Sequence, residues 1–113
     1  MKIYVAGPLN AGSNAEKRAN IKRAMRAGYR VWQRGHTPYI PHLDYYFGLF
    51  LQKEYSVEFN WDEWMAWDKP WLAACDAILY LAPSPGADTE LEYAIKTGKK
   101  IFYRIEDIPV EVR

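Results

Sequence analysis

The sequence predicts an α/β fold, a three-layer sandwich around a mostly parallel sheet of four or five strands. Two observations support this prediction. Short apolar runs, typical of strands buried on both faces, alternate along the chain with longer segments whose apolar residues recur at helical spacing. Half of the 113 residues are apolar, which is enough to give one domain spanning residues 1–113 a substantial core.

The first strand and the first helix occupy the N-terminal third of the chain. Residues 3–6 form an apolar run that ends at a Gly-Pro pair, as a short buried strand does. A helix is predicted over about residues 13–34, because its apolar side chains share one face and lysines and arginines occupy the other. Ser13 or Asn14 is suited to cap its N-terminus.

The next segment predicts a second strand followed by a long loop. Gly35 ends the first helix, and residues 37–40 have the composition of a short strand before Pro41. Residues 41–60 are aromatic and lack a clear period, so we expect an irregular connection. Connections of that length in a small domain are usually functional or mobile.

The C-terminal half predicts two more helices and two more strands. A helix is expected over residues 61–74, where Pro70 kinks or restarts it. Residues 77–82 form the clearest buried strand, and a third helix leads from it to a fourth strand at residues 100–104. The order β-α-β-α-β-α-β implies a flavodoxin-like or Rossmann-like sheet with right-handed crossovers. Ligands bind such sheets beyond the carboxyl ends of the strands, here at residues 7–13, 41–60 and 83–90.

Composition and charge exclude several classes of function. The 15 basic and 14 acidic side chains nearly cancel, so the net charge of +1 favours neither nucleic acid nor a membrane as the partner. The single cysteine, Cys75, cannot form an internal disulfide or build a thiolate metal site. No spacing of His, Cys, Asp or Glu is that of zinc ligands, so no metal is expected. The N-terminus resembles neither a signal peptide nor a membrane span, which leaves the cytoplasm as the expected location.

The loop after the first strand is a candidate anion site. Residues 7–13 are small or polar and join a strand to a helix, where backbone N–H groups can hold a phosphate or carboxylate. The spacing is close to that of a P-loop, but Ser13 stands where the motif needs lysine, which argues against a nucleoside triphosphatase. A tight turn followed by an N-cap explains the same residues equally well.

The loop after the third strand carries two acids, Asp88 and Glu90, in the expected first turn of a helix. Acids at this position often only complement the helix dipole. The functional alternative is that the helix N-terminus keeps Glu90 ionised, as a nucleophile at a sugar anomeric carbon must be.

His42, after the second strand, either touches a ligand or makes a local hydrogen bond. Six aromatic residues either stack on a nucleobase or pack in the core or an interface: Tyr45, Tyr46, Phe47, Phe59, Trp61 and Trp64.

Three short motifs occur in a fixed order along the chain. They are Ile3-Tyr4-Val5-Ala6-Gly7-Pro8, then Asp68-Lys69-Pro70-Trp71-Leu72 followed by Asp76, and then the segment from Ser84 to Glu90 followed by Ala94. Their conjunction, over residues 2–104, resembles the nucleoside 2-deoxyribosyltransferase family, including its small relatives, the 2'-deoxynucleoside 5'-monophosphate N-hydrolases.

The resemblance implies cleavage of the N-glycosidic bond of a (deoxy)nucleoside or nucleoside 5'-monophosphate, without a cofactor. The sugar would pass to another base or to water. By the same resemblance Glu90 is the catalytic nucleophile, and Asp68 lies near the base and the sugar. The residues expected to bind the substrate are Gly7, Pro8, Asn10, Gly12, Ser13, His42, Ser84 and Gly86. The alternative is a non-catalytic nucleotide-binding sensor or an interaction domain on the same fold.

The abundance of aromatic side chains predicts a homodimer.

Overall fold

A computed structural model describes all residues from Met1 to Arg113 and contains one sheet of four parallel strands in the order β2-β1-β3-β4. The strands are β1 (Lys2–Ala6), β2 (Thr37–Tyr39), β3 (Ala77–Tyr80) and β4 (Lys100–Phe102). The helices are α1 (Asn14–Gln33), α2 (Asp44–Tyr55), α3 (Trp61–Ala74) and α4 (Pro85–Lys96). Short 3₁₀ turns cover Pro41–Leu43 and Ile105–Asp107. The predicted α/β sandwich with a parallel sheet is confirmed.

The central strand β1 divides the core into two halves. Because side chains alternate along a strand, Ile3 and Val5 point to one face of the sheet and Tyr4 to the other. The first face packs against Ala24, Ala27 and Val31 of α1. The second face packs against Leu72 of α3 and Ala87 and Ala94 of α4. The three layers are therefore α1, the sheet, and the pair α3 and α4.

Side-chain caps fix where three of the helices begin. The hydroxyl of Ser13 accepts the backbone N–H of Glu16, 3.1 Å away, which confirms Ser13 as the cap of α1. Asn60 and Glu63 form a reciprocal capping box at the start of α3. Ser84 caps α4 by accepting the backbone N–H of Ala87. These caps hold the helix N-termini at the carboxyl edge of the sheet.

The expectation of an irregular loop over residues 41–60 was wrong. Residues 44–55 form the helix α2, which follows a 3₁₀ turn. None of the residues of α2 is buried, and its apolar side chains surround the helix instead of forming one stripe. The segment therefore lacks the apolar stripe by which a helix is recognised in a sequence, because such a stripe exists only where one helix face packs against a core.

The remaining boundaries differ from the expectations by a few residues. Helix α3 runs unbroken through Pro70, so the proline does not restart it. Strand β3 ends at Tyr80, and β4 ends at Phe102, both two residues earlier than expected. The shorter β3 leaves residues 81–84 free to turn toward α4.

Candidate active site

A cavity of about 1000 Å³ opens at the carboxyl ends of β1, β2 and β3. Its walls come from all three segments expected to hold a ligand. Seven of the ten predicted site residues line it: Gly7, Asn10, His42, Asp68, Ser84, Gly86 and Glu90. The other three, Pro8, Gly12 and Ser13, do not.

Glu90 lies at the floor of the cavity on α4 and is 8% exposed. Its Oε2 atom accepts a hydrogen bond from the hydroxyl of Tyr4. Burial raises the pKa of Glu90 to about 7, although the Tyr4 hydrogen bond opposes that rise. The expectation that Glu90 lies in the first turn of its helix was wrong. Helix α4 begins at Pro85, so Asp88 occupies the first turn and Glu90 the second.

Tyr4 is the residue that holds Glu90, and the sequence analysis did not identify it. It lies in β1 with no exposed surface, facing α3 and α4. Burial and the nearby charges of Glu90 and Asp68 raise the pKa of Tyr4, so its phenol stays protonated and remains a donor. A tyrosine inside a fully buried apolar strand needs a partner for its hydroxyl. That requirement is the signal in the sequence by which Tyr4 could have been identified.

Asp68 enters the cavity from the middle of α3. Burial, a hydrogen bond with Asp44 and the charges of Asp44 and Glu90 raise the pKa of Asp68 to about 9. The Oδ1 atom of Asp68 and the Oδ2 atom of Asp44 are buried and have no hydrogen-bond partner. Asp44 starts α2 and lines the same cavity. Its place beside Asp68 depends on α2, which the sequence analysis missed.

His42 is 3% exposed, and its Nε2 atom lies 3.0 Å from the carbonyl oxygen of Gly7 and 3.2 Å from that of Pro8. Carbonyl oxygens only accept, so Nε2 carries the proton and donates to both. Burial lowers the pKa of His42, which keeps the imidazole neutral. His42 therefore makes long-range hydrogen bonds that tie the loop after β1 to the turn before α2, and it also lines the cavity. The Nδ1 atom is buried without a partner.

The glycine-rich loop does not present an open anion site at its α1 end. The backbone N–H of Gly12 donates to Oε2 of Glu16 at 3.2 Å, and Ser13 caps the same turn. The carboxylate of Glu16 thus occupies the place proposed for a ligand anion. Asn10 does line the cavity, and so do Asn14 and Lys17 of α1. Lys17 is the only lysine or arginine in the lining.

Ser84 and Gly86 form the rim at the start of α4. The Oγ atom of Ser84 accepts the N–H of Ala87 at 3.1 Å, which leaves the hydroxyl proton available to a ligand. Gly86 has open space where a Cβ would stand, so it leaves room at the rim.

Part of the cavity lining is aromatic. Four of the six aromatic candidates line it: Tyr45, Phe59, Trp61 and Trp64. The rings of Phe59 and Trp64 pack with their centroids 4.9 Å apart. Tyr46 and Phe47 lie outside the lining, 49% and 37% exposed. A flat ring entering the cavity would therefore meet both aromatic side chains and carboxyl groups.

No group of three or more His, Cys, Asp or Glu side chains has the arrangement of a metal site. None of the helices combines the length and the apolar character needed to span a membrane.

The chain belongs to the family described as Domain of unknown function (DUF4406), which matches residues 1–103. The match includes all four strands, all four α-helices and every residue that lines the cavity. No curated protein matches the chain.

Proposed function

We propose that the protein cleaves the N-glycosidic bond of a (deoxy)nucleoside or nucleoside 5'-monophosphate through Glu90. One observation supports this above all: Glu90 and Asp68, from two different helices, line one cavity, and the Tyr4 hydroxyl holds Glu90 there. With pKa values of about 7 for Glu90 and about 9 for Asp68, Glu90 is mostly ionised near pH 8 while Asp68 is mostly protonated. A nucleophile and an acid are thus available together.

In the first step an oxygen of Glu90 forms a bond to C1' of the sugar while the bond from C1' to the base breaks. The proton of Asp68 passes to a nitrogen or oxygen of the departing base, which leaves as the neutral base. In the second step water or another base attacks C1' and releases Glu90 as a carboxylate. The proton lost by that attacking group restores Asp68.

Tyr4 contributes orientation to this reaction. It engages Oε2 of Glu90 and leaves Oε1 without a protein partner. Since Tyr4 is fully buried in the central strand, the carboxylate is held on a rigid element. The free oxygen is the one that would attack C1'.

The rest of the cavity suits a nucleoside or its monophosphate. Phe59 and Trp64 of the lining are available to a base, and Lys17 and the Ser84 hydroxyl are available to the 5' end. The three motifs resembling the nucleoside 2-deoxyribosyltransferase family include Glu90 and Asp68, which supports the same assignment. We further propose the cytoplasm as the location, where nucleotide metabolites occur and a free thiol such as Cys75 stays reduced.

Incubation with a panel of nucleosides and 5'-monophosphates, scored for free base by chromatography, tests this function. A second base added to half of the samples separates transfer from hydrolysis. We expect base release by the wild-type protein and its loss, by at least a thousandfold, in Glu90→Gln. Glu92→Gln is the matched control, because Glu92 is exposed on the same helix and pairs only with Lys96.

Two outcomes would contradict the proposal. Base release in Glu90→Gln near the wild-type rate would remove Glu90 as the nucleophile. Thermal stabilisation by a nucleotide without release of base from any member of the panel would favour the nucleotide sensor instead.

A further inference from the structure

Two carboxyl groups from different helices meet in the cavity with no positive charge beside them. Asp44 is the first residue of α2, and Asp68 lies in the middle of α3. The two carboxyl groups are close enough for Asp44 to raise the pKa of Asp68 through hydrogen bonding and charge, and both line the same cavity. A carboxylate has no proton to donate, so such a bond forms only when one of the two carboxyl groups is protonated. None of the ion pairs in the structure involves either residue.

The groups that face this pair do not neutralise it. Glu90 faces it from α4 and adds negative charge when ionised. His42, beside Asp44, is neutral because burial lowers its pKa. Tyr39 of β2 and Tyr4 of β1 remain uncharged phenols, since burial raises the pKa of both. Lys17 lines the same cavity but does not affect the pKa of Asp68.

Two neighbouring carboxyl groups cannot both remain ionised in a poorly hydrated site. One oxygen of each group, Oδ2 of Asp44 and Oδ1 of Asp68, is buried and has no hydrogen-bond donor beside it. A buried polar atom of this kind calls for a partner, and a proton held between the two carboxyl groups provides one.

We propose that Asp44 and Asp68 share a single proton, and that Asp44 is a positioning residue that keeps Asp68 protonated for the departing base. The inference rests on the proposed function, because it explains how the acid of that reaction keeps its proton. When the proton passes from Asp68 to the base, the pair is left with two negative charges. The pair then takes a proton from the attacking water or base, which completes the cycle.

Carbon-13 NMR of aspartate carboxyl groups tests the shared proton without any substrate. In protein labelled at the aspartate carboxyl carbons, one signal is expected to titrate well above neutral pH and to vanish in Asp68→Asn. In Asp44→Asn the same signal is expected to titrate at least one pH unit lower, because the neighbouring negative charge is gone. Asp44→Ser removes the same charge and serves if the asparagine variant does not fold. Glu54→Gln, an exposed change on α2, is the matched control and leaves the signal unchanged.

The pH profile of base release provides the second measurement. The rate falls on the alkaline side as Asp68 loses its proton, and this limb is expected to move down by at least one pH unit in Asp44→Asn. If the role of Asp44 were purely structural, Asp44→Asn would lower the rate of base release without moving the alkaline limb of the pH profile. The inference is overturned if no aspartate titrates above neutral pH, or if the titration stays in place when Asp44 is replaced. A shared proton in a protein that releases no base would instead contradict the proposed function alone.

Discussion

Glu90 and Tyr4 form the contact on which the proposed chemistry depends most. The hydrogen bond from the Tyr4 hydroxyl lowers the pKa of Glu90 against the stronger effect of burial. The tyrosine therefore helps to keep Glu90 ionised near neutral pH. It also fixes which carboxylate oxygen faces the cavity.

Tyr4→Phe removes this hydrogen bond and keeps the ring in the core. The pKa of Glu90 should then rise above about 7, and the acid limb of the base-release profile should move to higher pH. At pH 7 we expect a rate roughly tenfold lower. Initial rates measured between pH 5 and pH 9 check this. An acid limb at the same pH in both proteins would show that Tyr4 does not act on Glu90.

Glu90 and Asp68 also make the stability of the protein depend on pH. Both have raised pKa values in the folded state, about 7 and about 9, so the folded protein keeps protons that the unfolded chain has lost. Their contribution is complete below about pH 4, where both states are protonated. It decreases as the pH rises through 7 for Glu90 and through 9 for Asp68.

Glu90→Gln should therefore be more stable than the wild-type protein at pH 8, although it is inactive. The amide still accepts the Tyr4 hydrogen bond, and the cost of burying a charge disappears. We expect a gain of about 2 kcal/mol in the free energy of unfolding at pH 8. The difference should nearly vanish at pH 4. Urea denaturation of both proteins at the two pH values measures this difference. Equal stability of Glu90→Gln and the wild-type protein at pH 8 would mean that the wild-type protein does not bury an ionised Glu90.

At the scale of elements, α2 is the helix that the sequence analysis missed and the one with no buried residue. Strands and the other helices were predictable because each has a short apolar run or an apolar stripe. Helix α2 has neither, and propensity alone does not identify a helix with aromatic residues on all sides. The position of Asp44 beside Asp68 was unpredictable for the same reason.

We expect α2 to be the least stable helix, since tertiary packing supplies most of the stability of helices in proteins. Native-state hydrogen exchange should show faster exchange for amides within residues 48–55 than for the middle of α1, where Ile21, Ala24 and Val31 are buried. A bound nucleotide should slow exchange in α2, because the helix forms one wall of the cavity. Protection of α2 equal to that of α1 in the free protein would contradict this.

At the scale of the whole molecule, α2 and α3 present an unusual amount of aromatic surface. Four of these side chains are each about half exposed: Tyr46, Phe50, Trp61 and Trp71. Apolar surface of this kind on a small domain marks an interface more often than a solvated face. The expected homodimer stays a prediction, and we assign its contact to the faces of α2 and α3.

Sedimentation equilibrium over a range of protein concentrations tests the dimer. We expect twice the monomer mass for the wild-type protein, and a shift toward the monomer when Phe50→Lys places a charge on α2. Lys53→Ala, on the same helix, is a control that leaves the aromatic side chains in place. A monomer at every concentration would mean that the exposed aromatic residues serve another purpose.

The parallel character of the sheet was predictable, its strand order β2-β1-β3-β4 was not predicted, and the chemistry of the cavity was predictable only in part. Alternating strands and helices fix a parallel sheet, and a parallel sheet fixes the edge at which ligands bind. Glu90 and Asp68 were therefore expected at one edge. Their burial, the Tyr4 contact and the proximity of Asp44 depend on side chains far apart in the sequence, which a local pattern does not contain.

The position of β1 between β2 and β3 has a consequence for the order of folding. The segment from β1 through α1 to β2 can pair early, because its parts are close in sequence. The face of β1 that carries Tyr4 is covered only when β3 and α4 arrive from the other end of the chain. Until then the Glu90 carboxyl group is solvated, and burial does not raise its pKa. The raised pKa values of Glu90 and Asp68 thus depend on contacts between the two ends of the chain, and a chain that lacks those contacts has the sequence of the site without its chemistry.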